Sequence, residues 1–436
     1  MPRCSYRHLD FRSSLLVWQP DETDHCWVNE VGNFGTEDKP EYYCLFHAPV
    51  DKEPIDREDW KLDERGDQQT KLLKKQLALW NIENEKRAKK GIEPLEFILR
   101  DMQCGNLVLH NATIIGSVNF NGAIFSGDVW FDNVEFNGFT RFNSTNFQSN
   151  LLVNWTRFNQ KASFCNAKID FSSFSYTNFS MASFGNTTFS GITSFNETVF
   201  RFEAIFNNVK FCSSATFECA KFHKLTEFNK AEFQDIKFIN TDFMSITNFS
   251  DSTFNRSPEF HEAKLHQGTV FTGAIFKDST SEKAAQAYRT LKLAMENVRS
   301  RQEEAMFYAL EQKSLRQRPD TPRTTKFLSF LYEIVSDYGR SIWMPAAWLG
   351  VVSVYFSGFY YGWREVYECK STLAWFTVEQ IIKPFGIDKY DCLKDATTLP
   401  ASELSSIKAI AGLHSIIALT LIALLLLAIR WNYKRG

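Results

Sequence analysis

Phe189-Ser-Gly-Ile-Thr-Ser-Phe195-Asn-Glu-Thr-Val-Phe200-Arg-Phe-Glu-Ala-Ile-Phe206-Asn-Asn-Val-Lys-Phe211 places a phenylalanine at every fifth or sixth residue. The beat begins at Phe120 and runs through Phe142, Phe164, Phe184, Phe228, Phe249 and Phe271 to Phe276, with Leu265 standing in once. The residue two before each beat is small or β-branched, as at Ala123, Val129, Thr145, Ala162, Thr187, Ala204 and Ala220. This spacing fits neither the helical period of 3.6 nor the strand period of 2, so each beat is one flat face of a solenoid coil. The alternating strands of a sandwich would need period two instead.

If the chain turns a corner after each beat, Phe and its −2 neighbour point inward, and Asn, Ser, Thr and Gly turn the corners. Four beats close a coil and predict seven to eight coils. At ~4.8 Å per coil, that is a rod of roughly 35 Å. Each buried Phe then contributes ~1.5–3 kcal/mol relative to exposure. Val153 and Ile169 replace Phe at the beat, and Pro258 at a −2 position predicts a local distortion.

Segments such as Phe120-Asn-Gly-Ala-Ile-Phe125 and Phe271-Thr-Gly-Ala-Ile-Phe276 resemble the pentapeptide-repeat family in its Phe-centred variety. The resemblance covers 105–280 and implies a right-handed quadrilateral β-helix. Some members of that family are acidic mimics of DNA, but 105–280 holds 15 Asp and Glu against 13 Lys and Arg, too even a balance for that role. The whole chain, with 49 basic and 51 acidic residues, likewise implies no nucleic acid partner. No phosphate loop, Gly-x-Ser-x-Gly or His-Glu-x-x-His motif occurs, so no enzyme is expected.

The C-terminal end is different in kind. Trp343 to Trp363 carries no charge and is bracketed by Arg340 and Arg364; Ala409 to Ile429 is richer in Leu, Ile and Ala and ends in basic residues. Both have the length of a membrane span. Basic residues at Arg316, Arg318, Arg323, Lys326, Arg340, Arg430, Lys434 and Arg435 predict that both termini are cytoplasmic, in a two-span protein of the inner (plasma) membrane. The Asn-x-Ser/Thr triplets at Asn111, Asn143 and Asn178 then lie in the cytoplasm and are corner composition rather than glycan acceptors. Between the spans, Leu373 to Ile387 is apolar, too short to cross, and closed by Pro384 and Gly386, the pattern of a re-entrant helix.

Span, short helix, span resembles the pore module of two-transmembrane ion channels, although the filter Thr-Val-Gly-Tyr-Gly is absent. The resemblance implies a homo-oligomer, with four copies the plan it suggests. His414, Ser415 and Thr420 on the second span, with Glu379, Lys383, Pro384 and Phe385 from the short segment, are the pore or gate candidates. An interfacial helix on a simple membrane anchor is the alternative for 373–387. For His414, the alternative is a structural hydrogen bond across helices. Cys369 and Cys392 in the external loop could form a disulfide or remain free thiols.

At the other end, Cys4, Cys26, Cys44 and His47 could close a tetrahedral structural zinc site, and Tyr42-Tyr-Cys-Leu-Phe-His47 resembles an element that opens many pentapeptide-repeat proteins. Unpaired cysteines and a core histidine are the alternative.

The domain plan is therefore a Cys/His segment at 1–58, a helical cap at 59–104, the β-solenoid at 105–280 and a capping helix at 281–318 opened by the box Ser279-x-x-Glu282. An interfacial amphipathic helix at 325–342 and a pore-like domain at 343–436 complete it. The functional expectation is a membrane channel or pore in contact with the lipid bilayer, gated by a small-molecule or protein ligand on the cytoplasmic rod, in stress response or antiviral defence. The alternative is a membrane-anchored scaffold for protein–protein interaction.

Overall fold

The computed structural model describes residues 30–33, 42–44, 65–362, 373–382 and 401–433. The chain folds as two compact units, Met1–Glu304 and Ala305–Gly436.

In the first unit the Phe beat becomes four columns of stacked rings. One runs Phe120, Phe142, Phe164, Phe184, Phe206, Phe228, Phe249 and Phe271, with neighbouring centroids 4.8–5.0 Å apart. That separation is the spacing of paired strands, so ring stacking and backbone pairing demand the same coil pitch. The eight rings of this column mark eight coils, and all eight are buried. The −2 residues are in register too: Val118, Thr140, Ala162, Ala182 and Ala204 pair in parallel from coil to coil.

The corners follow a rule that composition alone does not state. At two of the four corners of each coil, the residue two after the beat has a positive φ. One set runs Ser144, Asn166, Asn186, Asn208, Lys230 and Asp251, the other Asn133, Trp155, Tyr176, Glu197, Cys219, Asn240 and Glu262. The amide three after the beat bonds back to the beat carbonyl, as from Thr145 to Phe142 and from Thr177 to Phe174, which is type II turn geometry. At the −2 positions that follow these positive-φ corners, the buried Thr hydroxyl donates to the beat carbonyl one coil earlier: Thr145 to Phe120 at 2.9 Å, Thr187 to Phe164 at 2.6 Å and Thr241 to Phe217 at 2.7 Å.

α1 (Arg65–Lys89) closes the N-terminal end. Leu73, Leu77, Trp80 and Asn84 form its buried stripe. Asn81 and Asn84 donate to the carbonyls of Thr113 and Ile115, and Asn81 also accepts the Ile115 amide at 2.8 Å, so side chains replace the missing previous coil. The strand ladder starts at Phe97, earlier than the expected boundary at 105. Around Pro258, regular strand gives way to isolated bridges, such as Lys237 with Glu259 and Asn248 with Val270.

Two expectations for 281–318 need correction. It is not one helix but two, α2 (Ala284–Asn297) and α3 (Arg301–Gln317), broken where Arg299 takes a φ of 60°. The helix does not open at the box Ser279-x-x-Glu282, and Asp278 organises the turn before it. Its carboxylate accepts the amides of Ser257, Thr280 and Ser281 and the Ser281 hydroxyl, while α2 begins after Lys283 without a side-chain cap. Burial pushes the Asp278 carboxyl up, but these hydrogen bonds outweigh it and hold the group below its ordinary value. Tyr288 of α2 stands edge-on to Phe276, the last ring of the rod.

In the second unit, α4 (Arg323–Ser336), α5 (Trp343–Tyr361), α6 (Leu373–Ile382) and α7 (Ala401–Tyr433) follow α3. Asp337, Tyr338 and Gly339 all have positive φ between α4 and α5, and the Trp348 indole donates to the Ile334 carbonyl at 3.0 Å across that turn. Among the described residues, one stretch, Ser405–Arg430 of α7, is long and apolar enough to cross a membrane.

Candidate site in the C-terminal helices

An apolar helix that carries a histidine must give it a partner or water. α7 carries His414 at a fully buried position. Its ring lies on Phe356 of α5, 4.5 Å between centroids and 10° between planes, and its Nδ1 is 3.3 Å from the Tyr360 hydroxyl. Phe356 and Tyr360 are one helical turn apart, so a single face of α5 supplies both contacts. Phe376 of α6 meets Tyr360 edge-on at 5.0 Å, and Ile407 and Ala411 of α7 complete a core shared by all three helices.

α6 brings further polar groups to this core. Thr377, Glu379 and Gln380 are all buried. The Ser415 hydroxyl donates to the Gln380 backbone carbonyl at 2.8 Å, which ties the C-terminal half of this short helix to the middle of α7. The His414 Nε2 and Gln380 Oε1 atoms are buried without a hydrogen-bond partner among the described residues. Groups of this kind are costly in an apolar interior and attract water or an ion.

Of the residues singled out from sequence, His414 and Glu379 therefore fall in the buried interior of the three-helix core, and Ser415 is half-buried at its edge. Thr420 does not: it is exposed, and its hydroxyl bonds within α7 to the Ile416 carbonyl. Lys383, Pro384 and Phe385, and Cys369 and Cys392, lie outside the described residues. So do Cys4, Cys26 and His47, while Cys44 is described by its backbone alone, in the strand Tyr42–Cys44. Among the described residues no group of three or more His, Cys, Asp or Glu is arranged to hold a metal. Tyr360 and Gln380 were missed from sequence; an aromatic hydroxyl inside an uncharged stretch and a polar pair inside a short apolar helix were the available signals.

The rod's outer surface holds a second feature. Trp155 and Tyr176, both at positive-φ corners, stack at 4.1 Å with planes 1° apart, and both are exposed. Trp130, in ladder register with Val108 and Leu152, is exposed on the adjoining face.

Residues 99–146 match the family model of pentapeptide repeats, described as nine copies. Residues 99–146 are pentapeptide repeats, and the coil they belong to continues as a β-solenoid to Phe276. A solved structure of trypsin-treated QnrB1, a plasmid-mediated fluoroquinolone resistance protein, is 16% identical; the match covers 44% of this chain and 97% of that one, with a TM-score of 0.20. No curated protein matches the chain. The solenoid accounts for the strands from Phe97 to Phe276 and leaves the C-terminal helices to be interpreted from their own chemistry.

Proposed function

We propose that the chain is a homo-oligomeric membrane pore or channel, gated by a ligand or partner that its cytoplasmic pentapeptide-repeat rod senses. The observation that carries this reading is the seat of α6. A helix of 10 residues is too short to cross a bilayer, yet it is packed against both α5 and α7 with Thr377, Glu379 and Gln380 turned into the protein. Non-helical connections and short helices at membrane depth are tolerated where protein or a water-filled path surrounds them.

Two further features support it. The 19 residues of α5 rise about 28 Å, close to the thickness of a bilayer's hydrocarbon core, so α5 serves as the first span beside α7. Both helices expose large apolar side chains, Val354, Tyr355 and Tyr361 on α5 and Leu413, Ile416 and Leu426 on α7, which suit lipid or neighbouring copies. A two-span chain encloses no pore alone, so several copies, four by the channel resemblance, surround the path. In this reading both termini are cytoplasmic at the plasma membrane, and any zinc on Cys4, Cys26, Cys44 and His47 is structural.

Particle symmetry of detergent-purified protein, together with planar-bilayer recording, tests the proposal. A symmetric oligomer that conducts supports it; a silent monomer overturns it. The second reading, a membrane-anchored scaffold, draws on the exposed Trp155–Tyr176 stack and Trp130, which give the rod an aromatic surface for a protein partner.

A further inference from the structure

An amphipathic helix at a protein surface normally turns its apolar side inward; α4 does the reverse. Phe327, Leu328, Phe330 and Leu331 are 61, 64, 48 and 39% exposed. Its acidic residue faces the protein, where Glu333 is held by Lys313 at 2.8 Å and Arg316 at 2.6 Å, both on α3. Burial pushes the Glu333 carboxyl up, but the two cations prevail and keep it below its ordinary value, so the clamp is charged at neutral pH. The Ser329 and Tyr338 hydroxyls, 3.0 Å apart, and the bond from Trp348 to the Ile334 carbonyl fix the helix at the start of α5. There Trp343 is 82% exposed.

The charges beside this surface are mostly positive. From 313 to 340 the basic residues are Lys313, Arg316, Arg318, Arg323, Lys326 and Arg340, against the acids Asp320, Glu333 and Asp337. Two of those acids are already paired, Glu333 within the clamp and Asp337 with Arg340 at 2.6 Å. Arg323 and Lys326 sit on the first turn of α4, beside Phe327 and Leu328.

We propose that α4 docks on an anionic lipid leaflet, with Phe327, Leu328 and Leu331 among the acyl chains and Arg323 and Lys326 on headgroup phosphates. This deepens the membrane reading of α5 and α7 and rests on it. The apolar side supplies depth, and the basic turn supplies preference for negative lipid. The clamp on Glu333 keeps the acidic residue off the headgroups and the apolar side facing out.

The test uses the full chain reconstituted in bilayers of phosphatidylcholine, with or without phosphatidylglycerol, carrying an environment-sensitive fluorescent amino acid in place of Leu328 or, separately, of the exposed Leu427 on α7. The expected result at 328 is a blue shift and quenching by spin-labelled lipid, both greater with phosphatidylglycerol. Arg323→Gln with Lys326→Gln should abolish that difference and leave the 427 signal unchanged. A reporter at 328 that stays open to aqueous iodide, responds equally in both bilayers, or is shielded from lipid and water alike overturns the proposal; the last outcome would mean that protein covers α4. A reporter at 427 that remains aqueous overturns the membrane reading itself, and the proposal with it.

Discussion

The Ser415 hydroxyl donates to the Gln380 backbone carbonyl at 2.8 Å, across 35 residues of sequence. The bond occupies an acceptor near the end of α6, where the last carbonyls of a helix lack partners within it. Ser415→Ala leaves that carbonyl in an apolar core at a cost of about 1–3 kcal/mol. Hydrogen exchange in 373–382 should speed up in the Ser415→Ala protein while exchange in the rod stays unchanged. Equal protection of α6 in both proteins would refute the tie.

In the rod, Phe206 stacks on Phe184 and Phe228 at 5.0 and 4.8 Å and is fully buried. Phe206→Ala removes a ring from a continuous column and should lower stability by about 3–5 kcal/mol. Phe206→Asp adds an unpaired buried charge and should prevent folding. Thermal unfolding followed by circular dichroism measures both, and an unchanged midpoint contradicts the stacked interior.

Gly138 gives a sharper test of coil spacing. A Cβ added there would lie 2.2 Å from the Gly116 backbone carbon in the coil before. Backbone cannot move aside as a flexible side chain can, so Gly138→Ala should cost about 1–3 kcal/mol. The same melt decides it, with a surface substitution such as Lys168→Ala as the neutral control.

The rod was legible because its code is local: one Phe and one small residue per face, repeated until no other period fits. What the composition did not carry is which residues sit at positive φ. Trp155, Tyr176, Glu197 and Cys219 occupy corners where Asn or Gly would be expected, because stacked coils impose the turn on whatever residue the column holds. Arg299 likewise breaks the helical spacing of 284–310 with no Gly or Pro to announce it. In the C-terminal helices, His414 and Ser415 stood out as polar residues in an apolar run. Their partners Tyr360 and Gln380 depend on how three helices pack, which sequence spacing does not encode.

The α3–α4 clamp predicts a pH dependence with a definite sign. The Glu333 carboxyl is held below its ordinary value, so its contribution is fully present above the usual carboxylate range and is lost as pH falls through the depressed value. Protection of α4 amides against hydrogen exchange should therefore hold at neutral pH and fall in acid below about pH 4. Glu333→Gln should weaken protection at neutral pH and remove most of that change. A Glu333→Gln profile that tracks the unmodified protein would show that the clamp does not hold α4.

His414 is the residue on which the pore reading is most exposed. Its ring is enclosed by Phe356 and Tyr360, one nitrogen is engaged, and the other is buried without a partner among the described residues. If an aqueous path opens beside it, an imidazole is the side chain whose charge changes near neutral pH, so current through the open state should depend on pH. His414→Leu removes the titrating group while keeping the volume apolar; it should abolish that dependence and alter conductance. Tyr360→Phe deletes only the hydroxyl on the Nδ1 side, and should shift the pH response while leaving conductance nearly unchanged. Planar-bilayer recordings of the three reconstituted proteins measure both quantities. Currents from His414→Leu that match the unmodified protein in size and pH response would remove His414 from the conduction path and leave it a packing residue between α5 and α7.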